Sequence, residues 1–208
     1  NRSRVVEFCN KMISSGLSKK VGFWIQTSIT TSLRDDDLAL LKKAGLVTIS
    51  FGVERFSPDF RELMVKAGSQ QQVFEVLKRI KKYGIKTDIN ILINHPADTV
   101  ESLKIEASYL DKALPWVDFY RVNYLVPVPG TPIWEAGKGY DKWYLNEKIV
   151  GKITSYYDHA FNITSPGLEF NLFNRAPEVV KANRKFKEKY YIKSLSRLKS
   201  APFIFGSM

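Results

Sequence analysis

The sequence predicts a parallel α/β fold, an open or wide (β/α) barrel with a polar inner face. Three observations lead there. Stretches near 21–28, 47–54, 87–94 and 118–125 alternate with period two, which places apolar side chains on one face of a strand and polar ones on the other. Helical patterns separate these stretches, and strands separated by helices pair in parallel through right-handed crossovers. The polar face carries Gln26, Ser50, Asp88 and Arg121, where a closed eight-stranded barrel carries branched aliphatics.

The elements follow in chain order. Val5, Val6, Cys9, Met12 and Ile13 form one helical face over 4–15, with Gly16 placed to stop it. The first strand alternates Val21, Phe23 and Ile25 with Gly22, Trp24, Gln26 and Ser28. Asp35-Asp36-Asp37 precedes Leu38, Leu41 and Ala44, and acidic residues in a first turn suit the helix dipole better than they suggest a metal site. The second strand puts Val47, Ile49, Phe51 and Val53 toward helices and ends at Glu54, with Gly52 leaving the backbone open to a ligand. Ser57-Pro58-Asp59 starts a short helix to about Val65. Ser69 and Gln72 fit a capping box before Val73, Val76, Leu77 and Ile80. The third strand alternates Ile89, Ile91 and Ile93 with Asp88, Asn90 and Leu92. Asp98 is the expected cap of the helix that follows, which runs to Pro115. The fourth strand alternates Tyr120, Val122 and Tyr124 with Arg121 and Asn123, then enters the stiff loop 127–132. Beyond Gly137 the pattern predicts a helical, basic extension over 138–208, with helices at about 141–161 and 177–198, after a barrel portion over 1–137.

Composition narrows the class. At 208 residues, 44% hydrophobic and 13% aromatic, the chain is a folded globular protein. No apolar run approaches the roughly 18–20 residues of a membrane span, so the expected setting is the cytoplasm, away from membranes. The single cysteine, Cys9, excludes a disulfide framework and any cysteine-ligated cluster held by these residues alone. The net charge of +11 is concentrated at the end, with nine Lys/Arg against two Glu between Arg175 and Lys199. Such a stripe is read first as a solvated helix face, and alternatively as a nucleic-acid-binding surface.

His95 and His159 are the only histidines, and neither has a second ligand at a metal-binding spacing. His95 either contacts a ligand or caps its strand. Glu54 is the leading site residue, because it stands at the carboxyl end of a parallel strand; the competing reading is an ion pair with Arg55 or another loop cation.

Three segments in order resemble radical S-adenosylmethionine enzymes. ISFGVER (49–55) is similar to that family's fourth strand, often I-S-F-G-I-E-S. INILINHPADTVES (89–102) is similar to the fifth, with F-I-L-G-L-P-G-E-T-x-E, and YLVPVPGTPIWEAG (124–137) to the sixth, with P-x-P-G-T-P-L-Y-E. The resemblance covers roughly 1–137 and is greatest to the cobalamin-associated branch, which includes methyltransferases and an anaerobic oxidative cyclase. It implies strands three to six of a six-stranded barrel. The fold it implies is a partial (β/α) barrel of the TIM-like type, in which Gln26 and Glu54 face S-adenosylmethionine and the backbone around Leu92 to His95 lies beside its adenine. Ser28, Asn94 and His95 are further candidates for binding the cofactor, and Arg121, Asn123 and Tyr124 are candidates for facing a small-molecule substrate. The C-x-x-x-C-x-x-C that binds the [4Fe–4S] cluster is absent from these residues. The expectation is therefore a C-terminal portion of a longer enzyme, inactive alone and partnered by the missing barrel half and a cobalamin-binding domain. Its bare strand edge should favour self-association. A cluster-less small-ligand-binding relative is the alternative. Two departures stand out: the G-L-P-G-E stretch reads Asn94-His95-Pro96-Ala97-Asp98, and Arg55 follows Glu54 where a small residue is usual.

Overall fold

A computed structural model describes residues 2–30, 33–64, 66, 68–125, 131 and 176–200. Helix α1 (Arg2–Ser14) leads into β1 (Phe23–Thr27), followed by α2 (Asp35–Lys43), β2 (Leu46–Glu54), α3 (Pro58–Leu63), α4 (Gln70–Lys82), β3 (Lys86–Ile93), α5 (Val100–Ala113), β4 (Phe119–Tyr124) and α6 (Pro177–Ser200). The strands form one parallel sheet in the order β1-β2-β3-β4. The expected loop at 127–132 falls, apart from Thr131, outside the described residues, as do the expected helix at 141–161 and the boundary at 137.

The chain forms two compact units. The first comprises the chain to Ile91, Ile105–Val122 and the last helix from Lys189; the second comprises Leu92–Lys104 and the described residues between Asn123 and Glu188. In the first unit, Ile49, Phe51, Val53, Ile89, Ile91, Tyr120 and Val122 are buried on one face of the strands. Leu38 and Leu41 of α2, Val73, Leu77 and Ile80 of α4, and Leu110 of α5 are buried with them in the core. The helices use the predicted signals. Asp37 accepts from the Arg34 amide at 3.3 Å and from Arg2 Nε at 2.8 Å, so the triple Asp does serve as a cap. Ser69 and Gln72 form the expected reciprocal box at 2.7 and 3.2 Å.

Two expectations need correction. Val47 does not point to the core: it is 43% exposed while Leu46 is buried. The β1–β2 register shifts between Phe23 and Trp24, pairing Phe23 with Leu46 and Trp24 with Thr48. Val47 is the extra residue of this bulge, and one extra residue reverses the alternation locally. Gly22 makes room for it, since a Cβ there would meet Val47 Cγ2 at 2.5 Å. Nor does Asp98 cap α5. Thr99 and Ser102 exchange backbone-to-hydroxyl bonds of 2.9 and 3.0 Å at that terminus, and the Asp98 carboxylate turns back to the His95 amide at 2.9 Å.

Candidate functional site

Pairing in register lays a polar row across the open face of the first unit. Gln26 on β1 pairs with Ser50 on β2, which pairs with Asp88 on β3. Ser50 Oγ donates to Asp88 Oδ2 at 3.2 Å, and Arg121 Nη2 from β4 reaches the same oxygen at 2.6 Å and Ser50 Oγ at 3.3 Å. Alternation alone explains why these side chains share a face. Their mutual bonds let a buried serine and a carboxylate only 16% exposed sit where a sealed barrel would need hydrocarbon. Arg121 keeps 58% of its side chain exposed on this face.

Glu54 closes β2 at its carboxyl end. The register shifts again between Gly52 and Glu54, so that Glu54 pairs with Ile91, and Glu54 takes a left-handed φ of +64°. A non-glycine residue there costs on the order of 1–3 kcal/mol and persists only when its surroundings over-determine it. The bulge folds the carboxylate back over Gly52, where a Cβ would lie 2.7 Å from Glu54 Oε1. Lys66 Nζ lies 3.4 Å from that oxygen. The cation beside Glu54 is therefore Lys66 and not Arg55.

Arg55 points the other way. It is fully buried, with its guanidinium 4.5 Å from the centre of the Phe60 ring. Near it Glu106, fully buried on α5, accepts from the amides of Phe56 and Ser57 at 2.9 and 3.0 Å. Burial pushes the Glu106 carboxyl above its ordinary range, opposed by Arg55 and by these two amides. Arg61, also buried, donates through Nη1 to the carbonyls of Val53 and Arg55 at 3.3 and 3.0 Å, and through Nε to Gly68 at 2.9 Å. Burial pulls its guanidinium down, opposed by Glu106, although guanidinium remains charged at any physiological pH.

The second unit carries the loop after β3. Asn94 has a φ of +68°. Asparagine is among the few non-glycine residues that tolerate this region, which explains how it stands where the resembled motif has glycine. Its amide donates to Asn183 Oδ1 of α6 at 2.9 Å, and Asn183 Nδ2 donates to Val179 O at 3.1 Å. His95 Nδ1 accepts from the Ala97 amide at 3.1 Å, so the neutral ring carries its proton on Nε2. With the Asp98 contact, these bonds close a tight turn from His95 to Asp98.

The predicted site residues thus separate. Gln26 and Arg121 share the polar row, and Glu54 stands at the end of the neighbouring strand with Lys66. Ser28 lies past the end of β1, its hydroxyl 2.8 Å from that of Thr30. Asn94, His95 and Asn123 belong to the second unit, Asn123 exposed on β4's open face. Tyr124 does not face the open side: the alternation of β4 buries it as it buries Tyr120 and Val122, and Lys187 Nζ stands 4.1 Å from its ring centre. A groove of about 1030 Å³ beside α4, lined by Thr30, Gly68, Gln72, Arg79 and Tyr83 among others, includes none of these predicted residues.

Sequence reasoning placed Ser50 and Asp88 on the polar face without making them site residues, and it did not single out Lys66, Arg61 or Glu106. One signal was available for Glu106, since it falls three residues after Leu103 and four before Leu110, a carboxylate on the apolar side of α5.

Comparison with known proteins bears on the family and the fold. Residues 5–104 match the family model described as the radical SAM superfamily. An uncharacterised methyltransferase of Pyrococcus horikoshii is 25% identical over 135 residues, covering 65% of this chain and 28% of that protein. The anaerobic magnesium-protoporphyrin IX monomethyl ester cyclase of Cereibacter sphaeroides is 31% identical over 137 residues, covering 65% and 22%. The chain thus spans about a quarter of the length of these curated relatives. Among solved structures, the coproporphyrinogen III oxidase of Escherichia coli superposes with a TM-score of 0.55 at 15% identity, over 86% of this chain and 36% of that one. The methyltransferase TsrM of Kitasatospora setae, solved with cobalamin and a [4Fe–4S] cluster bound, gives 0.50 at 15%, over 60% and 25%. At that identity, these two likenesses speak for the fold.

Proposed function

We propose that this chain belongs to the radical SAM superfamily, whose model matches residues 5–104, and that it supplies strands three to six of a radical SAM barrel and holds S-adenosylmethionine against its open face. The observation that carries the reading is Glu54, a strained carboxylate at the carboxyl end of β2 next to a polar row. Parallel α/β folds place ligands at that end. S-adenosylmethionine offers hydroxyl and ammonium donors, and Glu54 is the acceptor placed to receive them. Gln26 adds a neutral donor and acceptor on the adjacent strand, and Arg121 and Asn123 are the side chains we assign to the substrate.

Membership of the superfamily implies S-adenosylmethionine and a [4Fe–4S] cluster, which supplies the electron that opens the sulfonium. The residues of this chain do not fit the cluster: its one cysteine, Cys9, is buried on α1, and burial pushes the thiol up. In this proposal the cluster cysteines come from a segment outside these 208 residues, and the 138–208 region is an extension to the barrel portion. Likeness to a methyltransferase and to a cyclase supports methyl transfer or a cyclisation as reaction class, with cobalamin carried by another domain. A cytoplasmic setting belongs to the same reading, because thiolate-held clusters persist where thiols stay reduced. No helix among the described residues is long and apolar enough to cross a membrane. The described part of α6 buries Asn183, Phe186 and Tyr190, which supports a packing role for the basic extension.

The test is equilibrium binding by the complete protein. S-adenosylmethionine should be retained at micromolar concentration. Retention of single-stranded nucleic acid that falls steeply with salt, without binding of S-adenosylmethionine, would overturn the reading.

A further inference from the structure

We infer that Arg61 is the positioning residue that sets Glu54 and Lys66 against each other; this rests on the reading of Glu54 as a ligand-facing carboxylate. The two partners of that ion pair are twelve positions apart, joined by a short helix and a loop, and the Lys66 amide itself donates to the Arg61 carbonyl at 2.8 Å. Arg61 is bonded to the backbone on both sides. Its Nη1 holds the carbonyls of Val53 and Arg55, which flank Glu54, and its Nε holds the carbonyl of Gly68, two residues beyond Lys66. One planar, pre-organised fork therefore ties the strand end to the loop that brings the ammonium. The loop end of this tie is close-packed, since a Cβ on Gly68 would stand 3.0 Å from Thr30 Cγ2.

Glu106 completes the clamp from α5. It takes the next two amides, Phe56 and Ser57, so the backbone from Val53 to Ser57 is held by a buried cation on its carbonyls and a buried anion on its amides. A left-handed Glu54 needs such over-determination. Buried charges are costly unless paired and bonded. Two of the three at this turn, Arg61 and Glu106, are spent on the main chain around one residue, while Arg55 lies over the Phe60 ring.

The test compares Arg61→Lys and Arg61→Met with Glu54→Gln. In the 208-residue chain, the ¹³Cα and ¹³Cβ shifts of Glu54 should leave the left-handed range in both Arg61 variants, while those of Ile49 and Ile89 in the sheet stay in place. In the complete protein, either variant should weaken S-adenosylmethionine binding about tenfold, close to the loss in Glu54→Gln, and the Glu54→Gln, Arg61→Lys double variant should add less than about threefold more. Folded variants that keep the left-handed shifts, or losses that multiply in the double variant, would overturn the inference. So would global unfolding of both variants, which would make Arg61 a residue of general stability. If Glu54→Gln alone leaves binding unchanged, the proposed function fails, and the chemical shifts still decide whether Arg61 sets the conformation of Glu54.

Discussion

Lys66 Nζ stands 3.4 Å from Oε1 of Glu54, with 36% of the lysine side chain and 17% of the glutamate side chain exposed. A partly exposed pair of this kind stabilises a fold by on the order of 1 kcal/mol. The backbone strain at Glu54 is of equal or larger size, so the pair does not explain why a glutamate occupies a left-handed position. The proposed ligand-binding role gives a reason for it, since strained residues cluster at such sites.

Gly52→Ala tests the space this carboxylate needs. The new Cβ would lie 2.7 Å from Glu54 Oε1, and the flexible carboxylate would move rather than the strand. Thermal unfolding should show a stability change within about 1 kcal/mol, while affinity for S-adenosylmethionine drops about tenfold as the carboxylate leaves Lys66. Unchanged affinity would mean that the observed carboxylate position is irrelevant to binding.

Glu106 gives a pH dependence with a definite sign. Burial raises its folded-state pKa above the ordinary 4.5, so below the raised value the native state binds more protons at this site than the unfolded chain does. The contribution of Glu106 to stability is therefore full below about pH 4.5 and is lost as pH rises through the folded value. Relative to Glu106→Gln, which does not titrate, the wild-type chain should gain stability as pH falls through that window. Denaturant titrations of both proteins between pH 7 and 4 measure the difference, and a wild-type chain that loses ground on acidification would reverse the assignment.

Much of the architecture was legible because it rests on period. Alternation located the strands and identified which faces of β3 and β4 are buried, and caps such as Ser69 with Gln72 marked helix starts. The failures have local physical causes. A bulge turned Val47 outward, and no pattern announces one extra residue. Thr99 competed with Asp98 for the cap, and Asp98 was drawn into the His95 turn. For the site, strand position pointed to Glu54, Gln26 and Arg121, but Lys66, Arg61 and Glu106 meet Glu54 or the backbone flanking it only through contacts between residues 6–50 positions apart. Tyr124 lies on the apolar side of its own strand and is buried with Tyr120 and Val122, so the alternation of β4 and not its nearness to the strand end decides where it faces.

The outer edge of the sheet predicts association. β1 pairs with β2 on one side only among the described residues, and Trp24 is 66% exposed, with Val5, Phe8, Leu17, Val21 and Val47 also exposed on or beside that end of the sheet. Unpaired strand edges with apolar surroundings recruit other chains. Light scattering of the 208-residue chain should show a mass that rises with concentration, and Trp24→Lys should lower it. A monodisperse monomer over a hundredfold range would count against an interacting edge.

The central claim is that Glu54 holds S-adenosylmethionine, and calorimetric titration of the complete protein with and without Glu54→Gln tests it most directly. The substitution removes the charge at nearly constant volume. A lost charge-assisted hydrogen bond is worth about 1.5–3 kcal/mol, so the dissociation constant should rise roughly ten- to a hundredfold with the unfolding transition unchanged. Equal affinity of the two proteins for S-adenosylmethionine would contradict the account.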